Sequence, residues 1–229
     1  FEIERYALSR KNHLLLIYQY PNSDYVGSAM YWIGESYAAE GKLDEAIDFL
    51  TQAIEDKSSN RFRDHSLYAL ASLYEKTHDY NNAVKYYDQL LTYHANSPLA
   101  LQAQVRIGVC YFYLKDYYNS ILELNNPSLQ DLPGENLSEA LYLLANSHYR
   151  VEEYTNAANT YSEIIDKFPK SPIYRNAQYG LAWSLFQQSK YNEAYGVFNS
   201  LSEGDDTTAI KSFIWKGESK RYSGNPKEA

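Results

Sequence analysis

The sequence is poor in sulfur and in positive charge. Among its 229 residues there is one cysteine, Cys110, and one methionine. An internal disulfide framework, a CxxC site and a multi-thiolate metal centre are therefore excluded, and a lone thiol is compatible with an oxidising or a reducing compartment. Lysine and arginine number 21 against 29 acidic residues, a net charge of -8, with no basic stripe for phosphate backbones, so neither nucleic acid nor an anionic membrane surface is expected as a partner. Long apolar runs are missing too. The stretch LLLIY, Leu14 to Tyr18, is much too short to cross a bilayer, and no direct membrane insertion is expected.

Catalytic patterns are also lacking. The histidines at 13, 65, 78, 94 and 148 form neither HxxxH nor HExxH, and no nucleophile elbow, Walker or dinucleotide-binding glycine pattern occurs. The acidic pairs Glu152/Glu153 and Asp205/Asp206 read as solvated charge at turns rather than as a general acid and base. Not an enzyme, no cofactor and no metal is the resulting expectation.

What the chain does have is aromatic side chains, 16% of residues and 25 of them tyrosine, laid out with a period. Tyr6, Leu43, Tyr80, Tyr117, Tyr154 and Tyr191 stand 37 residues apart, each followed three residues later by Ser9, Ala46, Ala83, Ser120, Ala157 or Ala194. Gly34, Ala71, Gly108, Ala145 and Ala182 keep the same step, followed three residues on by Tyr37, Tyr74, Tyr111, His148 and Leu185. Within a unit, YWIGESYAAEG and LDEAIDFLTQAI carry apolar residues at helical spacing around a short polar turn, which predicts two antiparallel amphipathic helices. Glycine is a weak helix former, so Gly34 and Gly108 inside helices mark close crossings, with Ala46, Ala83, Ala157 and Ala194 as the facing surface. Tyr37, Tyr74, Tyr87, Tyr111, Tyr161 and Phe198 then fill the space beside the seam. YPNSDY at 20–25, HANSP at 94–98 and FPKSP at 168–172 read as hinges between units, where proline stops one helix and serine or aspartate caps the next.

The order G/A, Y, turn, Y/L-x-x-A, aromatic, as in IGESYAAEGKLDEAIDFLTQA, resembles the tetratricopeptide repeat. That resemblance implies an all-α, right-handed superhelix of helix-turn-helix units, here with a 37-residue period rather than the family's usual 34. Its boundaries would be the second helix of a preceding repeat at 1–24, repeats at 25–61, 62–98, 99–135, 136–172 and 173–209, and the start of a sixth at 210–229. In the third, Ser120 replaces the seam alanine and Pro127 should break the second helix near Asn125 or Asn126. In the sixth, GNPKEA matches GKLDEA only if the unit is two residues short, whereas Trp215 and Tyr222 fit the unshifted step. Both ends enter the pattern midway, so a fragment of a longer protein is expected. The FPKSP-type linker resembles those of bacterial envelope proteins, the outer-membrane assembly lipoproteins and Tol-Pal-associated proteins, which implies a periplasmic or outer-membrane-associated setting, with the cytoplasm as the alternative.

In this family the first helices line a concave face. The outward positions there are Tyr31, Tyr68, Tyr142 and Tyr179 at one level, Phe112, Tyr149 and Phe186 at another, and Glu35, Ser72, Asn146 and Trp183 at a third, with Arg106 and Arg150 as charged anchors at the border. Each ring alone also reads as core packing; their repetition points to an aromatic groove. Relatives that hold a carboxylate terminus use a lysine/asparagine clamp, but the matching positions are Tyr31, Glu35, Ala69, Gln102 and Arg106, of which only Arg106 suits a carboxylate. The function implied is a non-enzymatic scaffold that binds an extended or helical protein or peptide segment. The alternatives are a glycan-binding module of polysaccharide export or cell-wall synthesis, since sugars also stack on tyrosine and tryptophan, and a docking arm of a larger enzyme.

Overall fold

The computed structural model describes residues 2–56, 60–204 and 206–224, and all regular structure among them is helical. The chain divides into two compact units, residues 1–114 and 115–229. The first contains α1 (Glu2–Gln19), α2 (Val26–Ala39), α3 (Leu43–Glu55), α4 (Arg63–Lys76), α5 (Tyr80–Tyr93) and α6 (Ala100–Tyr113). The second contains α7 (Tyr117–Leu124), a 3-10 turn (Pro127–Asp131), α8 (Gly134–Arg150), α9 (Tyr154–Lys167), α10 (Tyr174–Gln187), α11 (Tyr191–Leu201) and α12 (Thr207–Tyr222). The division falls inside the 99–135 stretch that the sequence assigns to one repeat. Within each unit consecutive helices pack on one another, and alternate helices also touch, as α2 does α4 and α10 does α8 and α12.

Small residues set the crossings. Ala46, Ala83, Ser120, Ala157 and Ala194 are wholly buried, as are Ala71, Ala145 and Ala182. A Cβ on Gly34 would stand 2.7 Å from Leu50 Cγ and 3.3 Å from the Ala46 carbonyl, so the glycine is what lets α2 approach α3 this closely. Tyr87, Tyr161 and Phe198 fill the space beside the seams at 2% exposure or less.

The turns inside the helix pairs carry the repeat in their backbone. Gly41, His78, Lys115, Glu152 and Ser189 have positive φ between 60° and 75°, each 37 residues after the last. The residue after this left-handed one donates its N–H back into the preceding helix, from Lys42 to Tyr37, Asp79 to Tyr74, Glu153 to His148 and Lys190 to Leu185. This capping satisfies carbonyls that the helix end would leave orphaned. Apart from Gly204 in the loop before α12, φ 121°, the next positive-φ residue is Gly224, φ 88°, at a step of 35 from Ser189. Helix α12 keeps that shorter step: Ser147 Oγ donates to Leu143, Ser184 to Gly180 and Ser219 to Trp215. The two missing residues therefore fall between Ser189 and Ser219, so it is the fifth unit rather than the sixth that is two residues short, and Trp215 and Tyr222 do not continue the 37-residue register. Most of GNPKEA, 225–229, lies outside the described residues, as does Asp205.

Four of these turn positions are not glycine, although only glycine adopts positive φ without steric cost. Glu152→Gly should therefore raise stability by about 1 kcal/mol, read as a higher denaturation midpoint. A fall in that midpoint would show that the Glu152 side chain contributes more than its backbone strain removes.

The inter-repeat hinges differ from the expected capping. Helices α2, α6 and α10 are preceded by Tyr25, Leu99 and Ile173, none with a side-chain cap. Ser23, Ser97 and Ser171 each accept from the N–H two residues on, at 3.3, 3.2 and 3.4 Å. The recurring serine fixes a turn ahead of the helix instead of capping its first turn.

Candidate functional site

The thirteen residues that the sequence groups on one face are divided between the two units and differ in burial. In the first unit the expected groove is closed. Tyr31 is only 7% exposed, stacked on Phe62 at 5.2 Å between centroids and packed with Leu50 and Leu70. Burial, aided by the nearby Glu35 and Asp64 carboxylates, pushes its phenol up to about 12. It is core, because the loop before α4 supplies an aromatic lid. Glu35 is half-buried, and burial raises its carboxyl while the neighbouring His65 opposes the rise. Tyr68 lies edge-on to Tyr87 at 5.3 Å, its phenol likewise raised by burial. Phe112 is half-buried and edge-on to Tyr113.

Arg106 is not a free anchor. Its Nε donates to Glu75 Oε2 at 2.9 Å and its Nη2 pairs with Oε1. The Tyr87 hydroxyl donates to the same carboxylate at 3.2 Å and shares a hydrogen bond with Ser72 Oγ at 2.9 Å. Both guanidinium and carboxylate are spoken for inside the unit.

The second unit keeps the groove open. Tyr142, Asn146, Tyr149 and Arg150 on α8 and Tyr179 and Trp183 on α10 line one cleft of about 270 Å³. Three further residues complete it: Asn176 and Gly180 on α10, and Tyr161 on α9, which forms the floor. The Tyr161 hydroxyl donates to Asn146 Oδ1 at 2.9 Å, and Asn146 Nδ2 donates to the Tyr142 carbonyl at 2.8 Å. Burial, with Tyr142 and Tyr149 adding to it and Arg150 opposing, raises the Tyr161 phenol far above its ordinary range, so it stays a neutral donor. Phe186, expected in the groove, lies apart from it. Its ring packs within 5.5 Å of Tyr191, Trp215 and Tyr222.

Gly180 decides why one unit is open and the other is not. A Cβ there would meet Cζ, Cε1 and Cε2 of Tyr161 at 2.4, 2.6 and 2.7 Å, so the floor ring lies directly against the α10 backbone. Seventy-four residues earlier the same position is Arg106, and that of Tyr149 is Glu75. The ion pair occupies in the first unit the place that glycine leaves empty in the second. Sequence reading placed Tyr161 in the core and passed over Gly180 and Asn176. The missed signal was a second helix-interior glycine two positions before the seam alanine, where its counterpart carries a long charged side chain.

One member of each acidic pair has structural partners. Glu153 accepts from Asn156 at 3.1 Å and lies 2.7 Å from His148 Nδ1, while Asp206 caps α12 through the Ala209 N–H and pairs with Arg175. No helix among the described residues is long and apolar enough to cross a membrane.

Comparison with known proteins agrees with this architecture. Three family models, each described as tetratricopeptide repeat, match residues 28–56, 66–99 and 142–206, together more than half of the chain. No curated protein matches the sequence. Among solved structures, residues 41-end of MamA from Desulfovibrio magneticus RS-1 superpose with a TM-score of 0.62 at 18% identity, covering 76% of this chain and 92% of that one. A tetratricopeptide repeat protein from Parabacteroides merdae gives 0.59 at 18% identity, over 94% and 79%. The apo form of RapI gives 0.71 at 13% identity, over 95% and 67%. Repeats of this family are in general non-catalytic scaffolds for protein interaction. With the paired helices, their buried small-residue seams and the three matched stretches all in agreement, the chain belongs to the tetratricopeptide-repeat family.

Proposed function

We propose that this scaffold holds an extended protein segment in the cleft between α8 and α10 of the second unit. The observation that carries the reading is the open floor. Gly180 lets the buried Tyr161 ring lie directly against the α10 backbone, as the base of a cleft walled by Tyr142, Tyr149, Tyr179 and Trp183, and such wall rings give large contact area with few rotors to freeze. An extended partner suits it better than a helical one. Asn146 uses one donor and one acceptor internally and retains one of each, and Asn176 across the cleft is exposed. Unpaired backbone groups of an extended chain match those amides, whereas a helix has already bonded its own to itself. Arg150 is exposed at the rim with no ion pair among the described residues, and in a chain of net charge -8 it favours a partner carrying a carboxylate. Bacterial envelope assembly is the setting we propose, supported by the FPKSP linker alone.

Selection of random unstructured dodecapeptides on the protein, followed by titration of the enriched ones, tests this reading. Asn176→Leu and Arg150→Glu should each weaken binding by about tenfold, or 1.4 kcal/mol, with an unchanged melting midpoint. Peptides that bind both variants as well as the parent would remove the cleft from consideration. Oligosaccharides that bind where no peptide does would favour a glycan module.

A further inference from the structure

The second helix of the third repeat stops early, and its stop leaves space. Helix α7 has 8 residues, where α3, α5 and α9 have 13, 14 and 14. Pro127 stands at the repeat position held by Ala53, Leu90, Ile164 and Leu201. Those four are 2% exposed or less, whereas Pro127 is exposed. Proline cannot continue the helix, so the chain turns through Pro127–Asp131 and folds Leu129 inward at 2% exposure. That single side chain replaces only part of the missing helical turn. A cavity of about 310 Å³ remains against α8 and α9.

Its lining has two characters. Leu129, Leu137, Leu141 and Leu144 are buried and make the floor, while the more exposed Asn126, Gln130 and Thr160 border the mouth. Glu163 also lines it, and its carboxylate already holds Lys167 Nζ at 2.7 Å. His148 lines it as well, with its Nδ1 2.7 Å from Glu153 Oε2, so the cavity offers hydrocarbon inside, amides and a hydroxyl at the mouth, and Lys167 and His148 each already held by a carboxylate. An apolar cavity of about 150 Å³ takes benzene, and this one is roughly twice that size.

We propose that the break in the third repeat is a binding site for a small neutral amphiphile, an aliphatic alcohol or amide whose hydrocarbon body enters among the leucines while its head group bonds to the amides at the mouth. A charged head group is disfavoured, because the floor cannot solvate it and the mouth carries a carboxylate.

The test uses 1-octanol as the neutral probe and octanoate as its charged counterpart, followed through leucine methyl resonances and the thermal midpoint. Octanol should shift the Leu129, Leu137, Leu141 and Leu144 methyls saturably and raise the midpoint. Thr160→Trp, which covers the mouth from the surface, and Ala140→Leu, which fills the floor, should each weaken this by at least about tenfold. Absence of saturable shifts in the parent protein overturns the proposal whatever the variants do. So does octanol binding undiminished in both folded variants, which would place it elsewhere, and so does octanoate binding as tightly as octanol.

Discussion

Gly180→Leu should destabilise the protein by about 3 kcal/mol and close the cleft at the same time. Even the first added atom, Cβ, would stand 2.4 to 2.7 Å from three carbons of the Tyr161 ring. That ring has no easy retreat, being 2% exposed and tied by its hydroxyl to Asn146. Either the helices separate or the ring leaves its hydrogen bond and rises into the cleft, and both outcomes remove the floor. Gly196→Ala is the control, since it also places a methyl on a helical glycine of the same unit. There the added Cβ meets nothing within 4 Å and the position is exposed in the interior of α11. Lower backbone entropy in the unfolded chain should then raise stability by about 0.5 to 1 kcal/mol. Chemical denaturation of the two variants beside the parent gives opposite signs if this account holds. A neutral Gly180→Leu would mean that Tyr161 can move freely and that the cleft has no fixed floor.

The helix pairing was readable from sequence because it depends on residues that admit few substitutes. A crossing that buries Ala46 or Ala157 completely tolerates only small side chains, so the seam recurs visibly along the chain. The step of 35 was one of two readings that the sequence left open, because GNPKEA matches GKLDEA at the shorter step while Trp215 and Tyr222 fit the longer one. The backbone at Gly224 and the hydrogen bond of Ser219 decide for the shorter.

The candidate site was half legible for a related reason. Repetition identifies which positions share a face, and six of them, Tyr142, Asn146, Tyr149, Arg150, Tyr179 and Trp183, line one cleft. Whether a face is open depends on residues that do not repeat. Tyr31 and Tyr142 hold the same repeat position, but the residue that covers Tyr31 is Phe62, and its counterpart relative to Tyr142 is Ile173. Arg106 and Gly180 likewise hold one position with opposite consequences. A single sequence shows such a pair as noise in the repeat, and only packing shows that one fills the space the other leaves.

Trp183→Ala should cost about 3 kcal/mol, in contrast to Tyr142→Ala, although both line the same cleft. The repeat pattern treats both alike, as outward positions of the first helices. The structure separates them. The Trp183 ring lies 4.2 Å from Trp215 on α12, 6.2 Å from the fully buried Phe198 on α11 and 5.9 Å from Phe186 on its own helix. It joins three helices through one face and offers what remains to the cleft. Tyr142 has one such ring contact, Tyr161 at 6.0 Å, and the hydrogen bond to Asn146 uses its backbone carbonyl, which alanine keeps. Tyr142→Ala should therefore weaken peptide capture with a melting midpoint near that of the parent. Trp183→Ala should lower the midpoint and lose amide protection first in α12, which α10 holds through Trp183 on Trp215 and through Phe186 on Trp215 and Tyr222. Trp183→Phe, which retains a ring against Trp215, should recover most of that protection. Parent-like protection of α12 in Trp183→Ala would show that Phe186 and the packing on α11 suffice to hold it, and Trp183 would then be a binding residue only.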